Sequence, residues 1–277
     1  MQLSGLVVQI LNGFAEASSL FMVAAGMSII FGVTRIVNFA HGSFFMLGAY
    51  IASTLIGTLG GAAGFWPSLV LAGIAVALIG LLVEITLLRR IYQAAELTQL
   101  LATYAIMLIV QDVVLYLWGP VPLMGPRAPG LGGAVDILGR KFPTYSIFLI
   151  VVGPLALATL WAVVTRTRWG RLVRAATQDR DMVAALGINQ AWRLTSVFVL
   201  GTFVAGLGGA LQLPREPASL DMDIQAIASA FVVVVVGGLG SLPGAFLAAI
   251  IVAQTKAVCV WLGVIDIAGI QISMSKL

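Results

Sequence analysis

Several apolar runs, each close to 20 residues long and nearly free of charge, constrain this chain more than any other feature of its sequence. An α-helix needs about 20 apolar residues to cross the hydrocarbon core of a bilayer. Only 9% of the residues are charged, where a soluble domain carries roughly a quarter. Because lipid offers the backbone no hydrogen-bond partners, every run is predicted to be a helix, including the one that holds Val232–Val236. The sequence therefore predicts an all-α, polytopic transmembrane helix bundle.

About eight spans are predicted within a single transmembrane domain over residues 1–277. Their approximate limits are 6–31, 39–56, 68–88, 97–118, 144–164, 194–213, 224–236 and 246–262. The Gly-rich stretch 57–66 is predicted to be a turn, with Pro67 in the first turn of the next helix. The Pro- and Gly-rich stretch 119–143 is predicted to be an irregular loop. After Gly263 the apolar pattern weakens.

The segment 166–193 is the polar exception. It carries Arg166, Arg168, Arg171, Arg174, Arg180 and Arg193. It is too polar to enter a bilayer, and its composition favours helix, so one or two short helices at the membrane surface are expected. When this segment is placed in the cytoplasm, alternating spans put nine of the fifteen Lys and Arg residues on that side. That bias agrees with the positive-inside rule and predicts an outward N-terminus and an external loop 119–143.

Several classes of function find no support in the sequence. The net charge of +4 is not arranged as a basic stripe with interleaved aromatics, so no nucleic-acid partner is expected. There is no G-x-x-x-x-G-K-[ST] loop for ATP and no set of a nucleophile with a base, so an enzyme is not expected. His41 is the single histidine and Cys259 the single cysteine, which excludes a multi-histidine metal site and an internal disulfide.

Three sequence blocks closely resemble one family. They are GVTRIVNFAHGSFFMLGAY (Gly32–Tyr50), RWGRLVRAATQDRDMVAALGIN (Arg168–Asn189) and VVGGLGSLPGA (Val235–Ala245). Together, in this order, they resemble LivH-type permeases, the membrane subunits of ABC importers for branched-chain amino acids. Members of that family end with a further span after a segment like SMSKL, so the sequence, which stops at Leu277, is expected to lack that span.

The resemblance implies a bacterial inner-membrane protein that forms the pathway for branched-chain or other hydrophobic amino acids. It implies a second, LivM-like permease subunit, two cytoplasmic ATPases and an external or periplasmic substrate-binding protein. ATP and Mg would be bound by the ATPases, with no cofactor in this chain. Related systems move urea, amides or small aromatic carboxylates. An ATP-independent channel or secondary carrier for a small solute is the alternative from another class.

The resemblance also implies that the polar segment couples the chain to its ATPases. Small residues allow close helix approach, and arginines supply directed contacts to acidic surfaces. The coupling positions are predicted to be Arg171, Arg174, Ala175, Ala176, Asp179, Ala184, Gly187 and Ile188. From residue spacing alone, an ordinary basic loop that touches lipid headgroups is the favoured interpretation. The family resemblance favours docking instead.

Polar residues inside the spans are candidates for a translocation path or gate, since they are costly in lipid unless partnered. The candidates are Asn38, His41, Gly42, Glu16 and Asp112. Asn38 also suits a helix cap, and interhelical hydrogen bonding is the simpler role for the two carboxylates. Glu84 is expected to pair with Arg89 at the membrane edge.

A glycine-rich stretch is predicted to form a tight cytoplasmic turn, because glycine permits positive φ and close packing. Its residues are Gly237, Gly238, Gly240, Ser241 and Gly244. Gly206, Gly208 and Gly209 similarly predict a close helix crossing in the sixth span.

Overall fold

The structure, a computed structural model, describes residues 3–36, 38–178, 189–262, 264–267 and 270–273. Within these residues the helices are α1 (Leu3–Thr34), α2 (His41–Leu59), α3 (Gly61–Ile91, with a π-helical turn at Glu84–Leu88), α4 (Glu96–Trp118), α5 (Thr144–Arg166), α6 (Arg168–Gln178), α7 (Gln190–Gln212), α8 (Met222–Gly237) and α9 (Leu242–Leu262). Strands β1 (Ala134–Ile137) and β2 (Arg140–Pro143) form one antiparallel hairpin, and β3 (Val264–Ile267) and β4 (Ile270–Ser273) form another.

The predicted all-α, polytopic bundle is confirmed. In the described part of the chain, seven helices are long and apolar enough to span a membrane. The eighth predicted span corresponds to α8, which has 16 residues. At 1.5 Å per residue it is about 24 Å long, shorter than the ~30 Å hydrocarbon core. By length alone α8 falls short of a full span, and its first two residues, Met222 and Asp223, are buried in the bundle.

α1 is the central helix of the bundle and packs against α5, α7, α8 and α9, while α7 also packs against α2 and α3. Aromatic side chains join these layers edge to face, as in Phe21 with Phe246 at 5.1 Å and Phe44 with Phe198 at 5.9 Å. In such pairs the ring edge of one aromatic meets the electron-rich face of the other. The middle of α1 is consequently buried.

Glycines set the closest helix crossings. A Cβ added at Gly48 of α2 would collide with the carbonyl oxygen of Gly206 on α7, and one at Gly209 would collide with that of Phe45. Gly26 of α1 meets the carbonyl of Gly201 in the same way. Since lipid supplies no hydrophobic force between helices, association in the membrane depends on this kind of close van der Waals contact.

The predicted turn before α3 differs from the structure. The predicted turn 57–66 is mostly helical, since Gly60 alone separates α2 from α3, and Gly60 and Gly61 have φ of 64° and 61°. Positive φ is accessible to glycine without steric cost, so two residues suffice to reverse the chain. Pro67 consequently lies in the second turn of α3, and the prediction of a first-turn position is wrong.

The predicted irregular loop 119–143 contains a β-hairpin, and so does the segment after Gly263, where the apolar pattern weakens. In the 119–143 loop, Leu138 and Gly139 both have positive φ and form a two-residue turn, and Asp136 Oδ1 accepts a hydrogen bond from Gly139 N at 2.8 Å. This turn geometry matches the twist of antiparallel strands. After Gly263, Val264 pairs with Ser273 in the second hairpin. Apolar composition did not predict either hairpin, because a hairpin is held by hydrogen bonds between backbone groups and these do not depend on apolar side chains.

The charges divide between the two ends of the bundle. Gly240 lies against Gly32 near the end of α1, and Arg89 of α3 contacts Thr195 of α7. The described arginines that were predicted to lie on the cytoplasmic side are therefore found at one end of the bundle. This end is called the α6 end. At the opposite end Gly5 lies beside the guanidinium of Arg140 in the β1–β2 hairpin.

Candidate functional site

A polar cavity of about 140 Å³ lies beside the middle of α1. Helices α1, α2, α7, α8 and α9 and the α7–α8 connection contribute its lining, which consists of Glu16, Ser19, Leu20, Val23, Phe45, Gln212, Glu216, Met222, Gln225, Ala226, Ser229 and Lys256. A cavity of this size has room for several waters. A polar chamber at this depth of a transmembrane bundle is the expected place for a passing solute.

Two buried polar groups point to a ligand or water in this cavity. Ser19 and Gln212 are 7% and 6% exposed. Ser19 Oγ and Gln212 Oε1 have no hydrogen-bond partner among the described residues. A buried polar group left unpaired costs about 1–3 kcal/mol. Both groups line the cavity, so a hydrated or ligand-filled cavity removes this cost.

An ion pair crosses the cavity wall. Lys256 Nζ of α9 lies 3.3 Å from Glu16 Oε1 of α1. Their side chains are 50% and 37% exposed on the isolated chain, so the cavity is open on this side. Charges at membrane depth face a bundle interior or a water-filled space rather than lipid. The open side of the cavity is therefore a polar passage or a surface that another subunit covers.

The N-terminal half of α8 forms one wall of the cavity. Met222, Gln225 and Ser229 line it from this helix. The connection that precedes α8 reaches inward, since Gln111 Nε2 of α4 donates to the carbonyl of Leu220 at 3.3 Å. Irregular backbone at membrane depth is tolerated where it is buried in protein or lines water. The N-terminal dipole of α8 consequently adds a partial positive charge near the cavity.

Of the five predicted path residues, only Glu16 lines the cavity. His41 is fully buried, and its Nε2 lies 3.0 Å from the carbonyl oxygen of Val23. Val23 precedes the end of α1 by 11 residues, so α2 begins about 16 Å back along α1. The start of α2 thus re-enters the bundle, and His41 lies deep among buried residues rather than at the end of α1.

Asn38 and Gly42 accompany His41 in this re-entrant turn. Asn38 Oδ1 accepts a hydrogen bond from Ala40 N at 3.1 Å, which is a turn-stabilising contact just before α2. A Cβ at Gly42 would collide with the carbonyl oxygen of Asp223 on α8. These three residues position α2 against α1 and α8, one layer away from the cavity. Asp112 is exposed on α4 and does not line the cavity.

α6 is an amphipathic helix at one end of the bundle, as predicted for a surface element. Thr167 Oγ1 accepts a hydrogen bond from Gly170 N at 3.0 Å and caps the helix. Trp169 Nε1 donates to Ser196 Oγ of α7 at 2.8 Å, and Val173 is buried. The outward face carries the exposed Arg168, Arg171 and Arg174.

The predicted coupling residues divide into three groups. Arg171 and Arg174 are exposed and Ala175 is half-buried. Ala176, only 9% exposed, packs inward and takes no part in the outward face. The remaining four, Asp179, Ala184, Gly187 and Ile188, lie outside the described residues. The prediction that this segment contacts an ATPase stays a prediction.

A buried network at the α6 end extends the predicted pair of Glu84 and Arg89. Glu84 has no exposed surface, and its carboxylate accepts hydrogen bonds from Thr195 Oγ1 at 2.7 Å and Tyr92 Oη at 3.3 Å. Arg89 Nε lies 3.8 Å from the same carboxylate, and its guanidinium stacks 5.4 Å from the ring centre of Trp192. Burial, together with the charge of Glu84, raises the pKa of Tyr92 above its usual range.

The network forms at the π-helical turn of α3. Such turns recur at functional positions, because the extra residue re-aims side chains out of the helical register. Thr195 and Trp192 come from the start of α7, directly after the predicted coupling segment. No local pattern predicts their contacts with the Glu84 network, since they lie more than a hundred residues away along the chain.

The predicted glycine turn has the expected geometry. Gly238 and Gly240 have φ of 90° and 89°. Ser241 Oγ accepts a hydrogen bond from Gly244 N at 3.1 Å, and a Cβ at Gly244 would collide with the carbonyl of Gly237. This turn brings α8 and α9 into contact and holds them against the end of α1.

Sequence reasoning missed most of the cavity lining. Ser19, Gln212, Glu216, Gln225 and Ser229 were not among the predicted site residues. A helical pattern was nevertheless available, since Ser19 follows Glu16 by three residues and Ser229 follows Gln225 by four. Residues at these spacings share a helix face.

A membrane-length helix bundle around a central polar cavity defines a polytopic transport protein. The chain belongs to the family of branched-chain amino acid transport system permease components, whose model matches residues 9–275.

Curated relatives agree with this family over most of the chain. The high-affinity branched-chain amino acid transport system permease protein BraD of Pseudomonas aeruginosa is 28% identical over 262 residues, which cover 90% of this chain and 84% of BraD. The corresponding LivH protein of Escherichia coli K12 is 27% identical over 264 residues, covering 90% and 84%. LivM of the same organism is 24% identical over 270 residues, covering 88% of this chain and 63% of LivM. No solved structure matches the chain.

Proposed function

We propose that this chain is the permease subunit of an ABC importer that moves branched-chain or other hydrophobic amino acids across a bacterial inner membrane. The single observation that carries the structural part of this proposal is the central polar cavity with its unpaired Ser19 and Gln212. The names of BraD and LivH supply the class of cargo. The cavity lining combines polar groups with Leu20, Val23 and Phe45, which suits a solute with a charged end and an apolar side chain.

A second permease subunit completes the pathway in this proposal. The similarity to LivM, itself named a permease of branched-chain amino acid transport, supports a partner of related fold. The open side of the cavity, where Glu16 and Lys256 are partly exposed, is the surface that such a partner would cover. An external binding protein delivers the substrate to the assembled pair.

Two cytoplasmic ATPases drive transport by binding at α6, and they hold the ATP and Mg. The exposed Arg168, Arg171 and Arg174 offer bidentate contacts to acidic groups of a partner. α6 packs against α5, α7 and the end of α1. Helix α7 then spans about 33 Å from Gln190 beside α6 to Gln212 in the cavity. Movement of α6 on closure of the ATPases is thereby transmitted to the cavity wall.

The proposal is tested with the complete assembly reconstituted into vesicles. Import of radiolabelled L-leucine is expected to require ATP on the side of the membrane that holds the ATPases and the binding protein on the opposite side. A non-hydrolysable ATP analogue serves as the control. Uptake that continues without ATP would contradict the proposal and favour an ATP-independent carrier.

A further inference from the structure

The lining of the cavity holds a positive and a negative side chain next to each other. Lys256 supplies an ammonium group and Glu16 a carboxylate, 3.3 Å apart. They lie on α9 and α1, the two most distant helices in sequence that share this wall. A ligand that carries both charges can insert between them and replace one ion pair with two. A ligand that carries one charge leaves the other side chain without its partner.

The unpaired groups of the cavity fit the same ligand. Ser19 Oγ can donate or accept a hydrogen bond, and Gln212 Oε1 accepts one. An ammonium group brings three donors, so it can contact Glu16 and Gln212 together. A carboxylate accepts from both Lys256 and Ser19.

The same cavity also has an apolar part of its lining. Leu20, Val23, Phe45 and Met222 provide a surface without charge. A hydrophobic side chain can pack there while the charged end faces Glu16 and Lys256. The cavity therefore has one place for each part of a hydrophobic amino acid.

We propose that Glu16 and Lys256 form a zwitterion-binding site in the translocation pathway. Lys256 binds the carboxylate and Glu16 binds the ammonium group of an α-amino acid. This inference rests on the proposed function, because it takes the amino acid as the cargo. It adds that the permease itself recognises the charged end of the substrate, with Ser19 and Gln212 as supporting contacts.

Thiol labelling of the assembled transporter tests this site directly. With Cys259, the single cysteine of the chain, replaced by serine, Ser19→Cys puts a nearly isosteric thiol in the cavity lining. We expect a small charged methanethiosulfonate to label this thiol and L-leucine to slow the labelling. Ser28→Cys is the matched control, because Ser28 is a fully buried serine of α1 with an unpaired hydroxyl that does not line the cavity. It should label poorly, and leucine should have no effect on it.

Analogues of leucine separate the two charges. Leucinamide lacks the carboxylate charge and 4-methylpentanoate lacks the ammonium group. Each analogue is expected to need about a tenfold higher concentration than leucine to slow the labelling of Ser19→Cys equally, since it loses one charge-assisted hydrogen bond. Lys256→Gln should abolish the advantage of leucine over leucinamide, and Glu16→Gln should abolish its advantage over 4-methylpentanoate.

A double exchange distinguishes recognition from a merely structural ion pair. Glu16→Lys with Lys256→Glu restores the pair but reverses its direction relative to Ser19 and Gln212. Protection by leucine is expected to stay lost. Recovery of protection, absence of labelling at Ser19→Cys, or unchanged protection in both single variants would overturn the site. Failure of ATP-driven leucine uptake by the wild-type assembly would instead overturn the proposed function.

Discussion

Glu84 is a carboxylate with no exposed surface, and three side chains at the α6 end surround it. A buried carboxylate is tolerated when its oxygens are hydrogen-bonded and its charge is balanced. Thr195 and Tyr92 donate to it, and Arg89 lies 3.8 Å away. At the scale of single residues, this network fixes the end of α3 to the start of α7.

Glu84→Gln is expected to destabilise the protein by about 1–3 kcal/mol, because Arg89 loses its balancing charge and a buried acceptor becomes a donor. Thermal unfolding of the purified protein in detergent measures the effect. Glu96→Gln is the matched control, since Glu96 is an exposed carboxylate in the first turn of α4. Equal midpoints for the two variants would contradict a structural role for the Glu84 network.

At the scale of helices, the crossing of α2 and α7 depends on the absence of side chains. Gly48 meets the carbonyl of Gly206, and Gly209 meets that of Phe45. Both obstacles are backbone atoms, which cannot change rotamer. The two helices must therefore separate if either glycine gains a Cβ.

Gly48→Ala is expected to lower stability by about 1–3 kcal/mol through overpacking, in spite of alanine's better helix propensity. Gly57→Ala, in the same helix with no atom within 4 Å of its added Cβ, is expected to be neutral or slightly stabilising. Thermal unfolding of both variants checks the comparison. The crossing would not be close-packed if Gly48→Ala unfolded at the same temperature as Gly57→Ala.

α6 carries a second prediction at this scale. Arg171→Glu with Arg174→Glu reverses the charge of its outward face, and we expect at least tenfold weaker binding of the partner ATPase with an intact helix bundle. Co-purification and ATP-driven uptake both measure the loss. Arg90→Glu is the control, because Arg90 is an exposed arginine at the same end but outside α6. Full ATPase association of the double variant would exclude this docking face.

For the whole molecule, the distribution of charge sets the orientation. The arginines of the α6 end outnumber the basic residues of the opposite end, and basic residues remain on the cytoplasmic side. The β1–β2 hairpin, with Arg140 and Lys141, is therefore expected to face outward.

Single thiols test that orientation in intact cells. With Cys259 replaced by serine, a membrane-impermeant maleimide should label Lys141→Cys and leave Arg171→Cys unlabelled until the membrane is permeabilised. Both positions are exposed, so burial does not explain a difference. The reverse pattern would invert the orientation and place α6 on the wrong side for an ATPase.

The helical class and most spans were predictable from the sequence, because each depends on local composition, and the family was recognised from the resemblance of three sequence blocks. A run of about 20 apolar residues must be helical in lipid wherever it packs. Glycine effects are local too, so the turn at Gly238 and Gly240 and the close approach of Gly206 and Gly209 followed from residue type. The hairpin at Leu138–Gly139 was missed because its two positive φ values were not signalled by a typical Asn-Gly pair.

The cavity was decided only by the tertiary structure. Glu16 pairs with Lys256, which lies 240 positions away in the sequence. Ser19 and Gln212 line the same cavity because α1 packs on α7. His41 reaches Val23 because the chain folds back after α1. The free energy of transfer from water to lipid depends on the residues of each segment, so it can be predicted from the sequence of that segment alone. Which polar faces come together depends on shape complementarity between helices, which is spread over many distant residues.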